Sequence, residues 1–342
     1  MKQIDMTRRA LLAALLAGIG WPAAARSQDR PSYSSRAEVQ QFIDEVVGLH
    51  GFERERVEGW LDAARYSETA ERLMQPAPPF GQRDWYEYRA RYLGESRIRA
   101  GVAFWRDWSS ALEQARDWFG VPPEIIVAII GVETYFGRNT GNFRTIDVLA
   151  TLTFDYLRRA EFYRKELVEL LLLAREQRMD PLDFKGSFAG AIGLPQFMPG
   201  SVRRYAIDFD GDDRIDLMSS PVDAIGSVAN FLVEHGWQRE QPILFDAVAN
   251  ENIVAALGGG IRAQVTWGEA LAAGVIANLP IAPETPVIVI DLPYVDTTGA
   301  TARLYRVGTA NFSALLQYNR SYFYATSVVE LAAALKRAAA PS

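Results

Sequence analysis

The segment at residues 122–137, PPEIIVAIIGVETYFG, constrains the fold more than any other part of the sequence. Pro123 suits the first turn of an α-helix, where a missing N–H costs nothing. Gly137 predicts a left-handed cap at the other end of the helix. The apolar run between them predicts a helix that is buried on most of its faces. A chain with such a helix must supply enough further elements to cover it.

Glu133 lies near the end of this apolar run. Ile129 and Ile130 precede it by about one helical turn, so its carboxylate projects from a face that is otherwise apolar. Apolar surroundings raise the pKa of a carboxyl group, which is how enzymes obtain a general acid that works at neutral pH. Two interpretations are open at this point. Glu133 is either a structural carboxylate paired with an arginine or a catalytic acid.

Composition excludes several classes of function. The 342 residues include no cysteine, which rules out disulfides, thiolate metal sites and cysteine nucleophiles. His50 and His235 are the only histidines, so a histidine zinc cluster is not available and a Ser–His–Asp triad has little support. The formal net charge of −6 argues against nucleic acid as a partner.

The first 25 residues have the pattern of an export signal. Arg8 and Arg9 precede an apolar run at 10–21, and the alanines at 23–25 offer a cleavage site with small residues. The run is too short for a comfortable membrane span. The paired arginines are similar to a twin-arginine signal, although an ordinary secretory signal can also carry two. We therefore expect an exported, soluble protein without a membrane anchor, since no cysteine is available for lipid attachment.

Helical periodicity dominates the chain until about residue 240, where the pattern changes. The segments at 242–248, 286–292 and 302–307 are predicted strands. Thr266 and Glu269 form a capping-box pattern that predicts a short helix at 267–273. Helices are predicted again at 311–316 and 327–338, joined by residues 317–325. The expected fold class is α+β, mainly α, with a small antiparallel β insertion.

An apolar loop that is rich in glycine occupies residues 185–200, KGSFAGAIGLPQFMPG. It contains too many glycines and prolines for a regular element. Glycine allows the backbone to approach a ligand closely, and it also allows a loop to pack tightly without any ligand. The sequence leaves both alternatives open.

Residues 208–217, DFDGDDRIDL, have part of the pattern of a calcium-binding loop. Its first, third and fifth positions are Asp208, Asp210 and Asp212, and Arg214 could offer its carbonyl at position seven. Asp213 stands where glycine is expected at position six, and Ser219 where a glutamate is expected at position twelve. Asp223 lies just beyond and could replace that glutamate. The alternative is an aspartate-rich turn without a metal.

Five segments together resemble the B-type lytic murein transglycosylases. They are GVETYFG at 131–137, ATLTFDYLRRAEF at 150–162, KGSFAGAIGLPQFMP at 185–199, VDAIGSVANFLVEHGW at 222–237 and QYNRSYFYA at 317–325. They occur in the family's order, and the resemblance extends from about residue 35 to the end of the chain. It implies a periplasmic enzyme that cleaves peptidoglycan glycan strands between N-acetylmuramic acid and N-acetylglucosamine. The bond is broken without water, which leaves 1,6-anhydromuramic acid ends.

The resemblance also implies a division of the chain into domains. After the export signal at 1–25, it implies an N-terminal helical domain at 32–120 and a lysozyme-like catalytic core at 121–240 that contains the calcium-type loop at 208–223. A small β domain at 241–310 and C-terminal helices at 311–342 that return to the core complete the division. The implied partners are glycan strands, with proteins of cell-wall synthesis or division as further candidates.

The residues that match the family's site follow from the same resemblance. The single catalytic acid falls on Glu133. The positions that match the sugar-binding groove are Tyr88, Ser187, Phe188, Gln196, Phe231, Tyr318, Asn319 and Tyr324. The calcium loop of some members matches Asp208, Asp210, Asp212, Arg214 through its carbonyl, and Asp223. The ion is expected to be structural, and no cofactor is required for the chemistry. The chain departs from some members at Phe231, where they have a tyrosine.

One carboxyl group suffices for the chemistry that the resemblance implies. Glu133 protonates the glycosidic oxygen, the acetamido oxygen of the substrate stabilises the charged sugar, and Glu133 then takes the proton from the C6 hydroxyl. A muramidase that uses water is the alternative enzyme, with Asp147 or Asp155 as its second carboxylate. A non-catalytic glycan-binding scaffold is the alternative outside the enzymes.

Overall fold

The computed structural model describes residues 31–75, 84–257 and 265–340, and the predicted export signal lies outside them. A short 3-10 helix at Tyr33–Ser35 is followed by six helices. These are α1 (Ala37–His50), α2 (Arg54–Ala63), α3 (Glu68–Met74), α4 (Trp85–Ala90), α5 (Glu95–Asp107) and α6 (Ser109–Phe119). None of the described helices is both long enough and apolar enough to cross a membrane.

Five further helices and a two-stranded ribbon form the centre of the molecule. The helices are α7 (Pro123–Thr134), α8 (Thr145–Phe154), α9 (Ala160–Glu176), α10 (Pro199–Tyr205) and α11 (Pro221–Glu234). The strands β1 (Phe143–Arg144) and β2 (Lys185–Gly186) pair antiparallel and join the start of α8 to the glycine-rich loop.

Helix α7 is the centre of the main core. It begins at Pro123, as predicted, and every residue from Ile125 to Gly131 is buried. Helices α5, α6 and α11 pack against it, and so does the C-terminal helix. The surrounding cluster of buried apolar residues extends from Tyr33 to Leu335. The prediction of a helix that is buried on most of its faces is therefore confirmed.

The predicted cap of α7 at Gly137 is wrong. The helix ends at Thr134, and Tyr135 takes the left-handed conformation with φ 53°. The hydroxyl of Thr134 donates to the carbonyl of Ile130 and accepts from the N–H of Gly137. A side chain therefore satisfies groups at the helix end, and the left-handed cap comes two residues earlier than the glycine suggests.

The remaining elements comprise the β insertion and two terminal helices. They are β3 (Leu244–Ala247), α12 (Glu251–Ala256), β4 (Val265–Thr266), α13 (Trp267–Ala272), β5 (Pro286–Val295), β6 (Thr301–Gly308), α14 (Ala310–Tyr318) and α15 (Tyr322–Ala339). The four strands are antiparallel in the order β3-β6-β5-β4. The three predicted strands, and the capping box at Thr266 with its short helix, are confirmed.

Strand β5 is buried on both faces over Val287 to Ile290, and this burial connects the insertion to the rest of the protein. Val287 and Val289 of β5 belong to a small apolar cluster within the insertion, together with Trp267 of α13. Ile288 and Ile290 alternate with them and belong to the main core. Because successive side chains of a strand point to opposite faces, β5 packs on the insertion with one face and on the helical core with the other.

The segment 317–325, predicted to join two helices, is mostly helical. Helix α15 begins at Tyr322, because the Ser321 side chain caps it by accepting from the N–H of Tyr324. Helix α14 continues to Tyr318. The connection is therefore short, and α15 packs along α7 with Tyr324 facing the end of that helix.

Candidate active site

Glu133 and Tyr324 form the centre of the candidate site. The Tyr324 hydroxyl donates a hydrogen bond to Oε1 of Glu133 at 2.6 Å. Tyr324 is buried, whereas Glu133 remains partly exposed at the end of α7. Within the described residues Glu133 forms no ion pair, which argues against a structural carboxylate paired with an arginine.

The surroundings of Glu133 favour its protonated form. Desolvation by burial raises the pKa of Glu133 from 4.5 to about 7, and the hydrogen bond from Tyr324 acts in the opposite direction because it stabilises the carboxylate. A group with a pKa near neutrality can both donate a proton and take it back. These are the properties that one residue needs to serve as acid and then as base.

Two further tyrosines lie close enough to Glu133 to respond to its charge. Burial raises the pKa of Tyr318 and of Tyr88, and the negative charge of Glu133 raises both further. The Tyr318 ring is stacked on that of Tyr324, with 6.4 Å between centroids and 15° between planes. The Tyr318 hydroxyl donates to the carbonyl of Pro195 at 2.6 Å. The structure thus brings these three predicted tyrosines together around one carboxyl group.

The glycine-rich loop is tied to the end of α7 by hydrogen bonds. Gln196 has a left-handed φ of 53°, and its Nε2 donates to the carbonyls of Thr140 at 3.0 Å and Gly193 at 2.9 Å. The Thr134 hydroxyl shares its single proton between the carbonyl of Leu194, at 3.0 Å, and that of Ile130, at 3.2 Å. The side-chain nitrogen of Gln196 therefore holds the loop in shape. Thr134 is not among the predicted site residues, and its signal in the sequence is a hydroxyl at the end of an otherwise buried apolar helix.

Contacts within the protein account for the glycines of this loop. A Cβ on Gly186 would lie 2.1 Å from the carbonyl oxygen of Ala191, and one on Gly193 would lie 2.1 Å from that of Leu217. Gly193 also has a φ of +72°, which other residues rarely adopt. Of the two alternatives that the sequence left open, these contacts favour tight packing of the loop.

The other predicted groove positions differ in exposure. Phe188 is exposed and Asn319 is exposed at the end of α14. The Ser187 hydroxyl oxygen accepts from the N–H of Ala191 at 3.1 Å and so shapes the turn beside Phe188. These side chains line a surface rather than the core.

Phe231 is buried among aromatic rings. Its ring stacks on the imidazole of His235, with 4.0 Å between centroids, and lies 4.8 Å from the Tyr318 ring. His235 ends α11 and bonds through Nδ1 to the Phe231 carbonyl. Phe231 therefore supports Tyr318 from the side of the core.

The two aspartates considered for a hydrolytic mechanism have other partners. Asp147 forms an ion pair with Arg144 at 2.7 Å, and Asp155 forms one with Arg36 at 2.9 Å. Asp155 also accepts from the Tyr33 hydroxyl at 2.6 Å. Asp147 thus binds the residue that precedes α8, and Asp155, at the end of α8, binds the N-terminal segment that contains Tyr33 and Arg36. Neither is among the groups that shift the pKa of Glu133.

Three aspartates of the predicted calcium loop converge between α10 and α11. Asp208, Asp210 and Asp212 each offer a carboxylate oxygen, and these atoms lie within 4.8 Å of one another. None of the three forms an ion pair with a described arginine or lysine. Oxygen ligands of this kind suit a hard cation such as calcium. Asp213 adopts the left-handed φ of 65° at the position where glycine is expected.

Asp223 closes this loop through the backbone. It is buried, its Oδ1 accepts from the N–H of Phe209 at 2.9 Å, and its Oδ2 accepts from the N–H of Asp216 at 2.8 Å. Both carboxylate oxygens are thus engaged with the ends of the loop. The convergent aspartates fit calcium, and Asp223 fixes the loop that carries them.

Comparison with known proteins places this arrangement in a family. A family model described as the transglycosylase SLT domain matches residues 34–333. The membrane-bound lytic murein transglycosylase B of Escherichia coli (strain K12) is 39% identical over 311 residues, which cover 89% of this chain and 84% of that protein.

Solved structures of related proteins have the same fold. The catenated lytic transglycosylase SltB1 of Pseudomonas aeruginosa has a TM-score of 0.84 at 42% identity, covering 90% of this chain and 100% of that one. The E. coli lytic transglycosylase Slt35 in complex with calcium has a TM-score of 0.77 at 39% identity, covering 91% and 94%. SltB3 of P. aeruginosa, in complex with NAG-NAM-pentapeptide, has a TM-score of 0.75 at 26% identity, covering 90% and 80%.

Proposed function

Because this chain belongs to the B-type lytic murein transglycosylases, we propose that Glu133 is the single acid and base of its active site. The enzyme cleaves the bond between N-acetylmuramic acid and N-acetylglucosamine in peptidoglycan without water and leaves 1,6-anhydromuramic acid ends. The observation that supports the role of Glu133 is its hydrogen bond from Tyr324 in surroundings that raise its pKa to about 7.

In the proposed mechanism, protonated Glu133 donates its proton to the glycosidic oxygen as the bond to the muramyl C1 breaks. The carboxylate that forms keeps its hydrogen bond from the Tyr324 hydroxyl, which stabilises the new charge. Glu133 then takes the proton from the muramyl C6 hydroxyl while the C6 oxygen bonds to C1. The proton returns to Glu133, and no water is consumed.

The sugar cation that develops needs stabilisation from a group other than a second carboxylate. Glycosidases with two carboxylates use the second as a nucleophile or to activate water. Within the described residues, no other carboxylate affects the pKa of Glu133. Membership of the family assigns this role to the acetamido oxygen of the substrate. The ion pairs that engage Asp147 and Asp155 favour anhydro-ring closure over the muramidase alternative.

The masses of the products distinguish the two enzymes. Digestion of purified sacculi is expected to give muropeptides with anhydro ends, each lighter by one water than the corresponding reducing end. Separation by liquid chromatography and mass spectrometry measures the ratio of the two ends. Predominantly reducing ends would show a muramidase, and binding without any released product would show a scaffold.

The remaining predicted positions are assigned to glycan binding. They are Tyr88, Ser187, Phe188, Gln196, Phe231, Tyr318, Asn319 and Tyr324, with Phe231 and the amide nitrogen of Gln196 acting through the groups that they support. We keep the five-part division of the chain as a proposal. We also place the enzyme in the periplasm, where its polymeric substrate lies, with export directed by residues 1–25.

A calcium ion at Asp208, Asp210 and Asp212 is proposed as a structural ligand. If calcium binds the folded state alone, saturation at about 100 times Kd should raise the Tm by about 5 °C. Asp210→Asn is expected to abolish this rise, and Asp107→Asn, which alters an exposed ion pair on α5, is expected to retain it. Calorimetry with calcium and with chelator measures the difference. A wild-type Tm that is indifferent to calcium would contradict the proposal.

A further inference from the structure

Arginines and tyrosines alternate along the surface beside Glu133. The guanidinium carbons of Arg97 and Arg138 lie 4.7 and 5.0 Å from the centroid of the Tyr135 ring. Arg97 also lies 5.4 Å from the Tyr92 centroid. Tyr88 and Arg91 adjoin this set through Tyr92. We call the six residues the arginine–tyrosine ladder: Arg91, Arg97, Arg138, Tyr88, Tyr92 and Tyr135.

The ladder ends at a tyrosine of the active site. The Tyr92 ring lies 5.5 Å from the Tyr88 ring, and the guanidinium carbon of Arg91 lies 5.7 Å from the Tyr88 centroid. Tyr88 is one of the tyrosines whose pKa is raised by the charge of Glu133. At the other end, Tyr135 follows Glu133 by two residues, so the ladder borders the site along one side.

The three arginines are not neutralised by the described part of the protein. Arg91, Arg97 and Arg138 form no ion pair with any described carboxylate, although many other arginines of the chain do. Arg97 donates one hydrogen bond to the Gly131 carbonyl. Arg91 and Arg138 are exposed, and a guanidinium that stacks on a ring keeps N–H donors in its plane for other acceptors.

The chemistry of this surface suits carboxylates. The planar fork of arginine matches a carboxylate with two parallel hydrogen bonds. The protein as a whole carries a net charge of −6, so attraction of an anion depends on a local cluster of positive charge. In a peptide-bearing strand the lactyl carboxyl of each N-acetylmuramic acid is bound in an amide, so the carboxylates lie on the attached peptides. The SltB3 complex contains a substrate fragment that bears such a pentapeptide.

We propose that Arg91, Arg97 and Arg138 bind carboxylates of the peptides attached to the glycan strand. The inference rests on the proposed function and deepens it, because it makes peptide-bearing strands the preferred substrate. The aromatic rings hold the guanidinium groups in place, and the ladder positions the peptide while the glycan reaches Glu133.

The test compares two preparations of glycan strands from the same sacculi, one with its peptides and one from which an amidase has removed them, which leaves only the lactyl carboxylate on each N-acetylmuramic acid. For each enzyme, kcat/KM is measured on both, and the ratio of the two values gives the selectivity for peptide-bearing strands. The double variant Arg91→Gln, Arg138→Gln is expected to lower this ratio about tenfold, the loss of about 1.4 kcal/mol of differential binding. Arg97 is left intact because it also bonds to α7.

Arg99→Gln is the matched control, since it removes one positive charge from α5 that lies in an exposed ion pair with Glu95 and outside the ladder. Its selectivity ratio is expected to equal that of the wild type. The proposal is overturned if the double variant keeps the wild-type ratio, whether or not its activity falls on both substrates. Anhydro products from wild-type enzyme on stripped strands test the proposed function separately, so the two failures are distinguishable.

Discussion

Replacement of Glu133 by glutamine is expected to lower turnover of peptidoglycan about a thousandfold or more. Glutamine preserves the shape of the side chain and can still accept the hydrogen bond from Tyr324 through its carbonyl oxygen, but it has no acidic proton to transfer to the glycosidic oxygen. General acid–base catalysis contributes about 10²–10⁴-fold, and here one group serves both steps. Release of anhydro-muropeptides from sacculi, followed under single-turnover conditions, measures the loss.

The matched control for this variant is Glu124→Gln. Glu124 lies at the opposite end of α7 and pairs with Lys336 at 2.7 Å. Its replacement removes a carboxylate from the same helix and leaves Glu133 and its contacts unchanged. We expect near wild-type turnover from it. Substantial turnover by Glu133→Gln would contradict the assignment of the acid.

Glu133→Gln also has an expected effect on stability that shows whether the fold is intact. The pKa of Glu133 is 4.5 without the folded environment and about 7 within it. Between these values the folded state binds more protons than the unfolded state, so this group lowers the free energy of unfolding as pH rises. Glutamine does not titrate. The variant should therefore gain stability relative to the wild type from about pH 4.5 to 7, measurable by urea unfolding.

Local patterns predicted the elements of the fold well. The start of α7 at Pro123, the capping box at Thr266 and the alternation in β5 each depend on residues close together in sequence. The exceptions arise where a side chain overrides a local preference. Thr134 ends α7 before Gly137, and Ser321 starts α15 within a segment that was predicted to be a connection.

The candidate site could be predicted only in part, because its contacts join distant segments. An apolar helix suggested a perturbed Glu133, but two interpretations remained until its partner was known. That partner, Tyr324, is 191 residues away and reaches Glu133 through the packing of α15 on α7. Likewise, the hydrogen bonds from the Arg65 N–H to Asp147 and from the Tyr33 hydroxyl to Asp155 depend on how distant segments pack on α8. The periodicity of the sequence does not predict contacts between segments so far apart.

Tyr324→Phe is expected to have the second largest effect on catalysis. The Tyr324 hydroxyl bonds to Glu133 at 2.6 Å and stabilises the carboxylate that forms when Glu133 donates its proton. A hydrogen bond to a charged group is worth about 1.5–3 kcal/mol, so turnover should fall about 10- to 100-fold. Phenylalanine keeps the ring that stacks on Tyr318 and therefore removes little packing.

The pH profile separates this electrostatic effect from a structural one. Activity requires protonated Glu133, so kcat/KM should fall as pH rises through about 7 in the wild type. Without the hydroxyl the carboxylate is less stable, the pKa of Glu133 rises further, and the alkaline limb should move to higher pH. The control is Tyr318→Phe, which loses a hydrogen bond to the Pro195 carbonyl and none to Glu133. The alkaline limb of its pH profile should stay at the wild-type position. An unchanged or lower limb in Tyr324→Phe would show that Tyr324 acts on the fold alone.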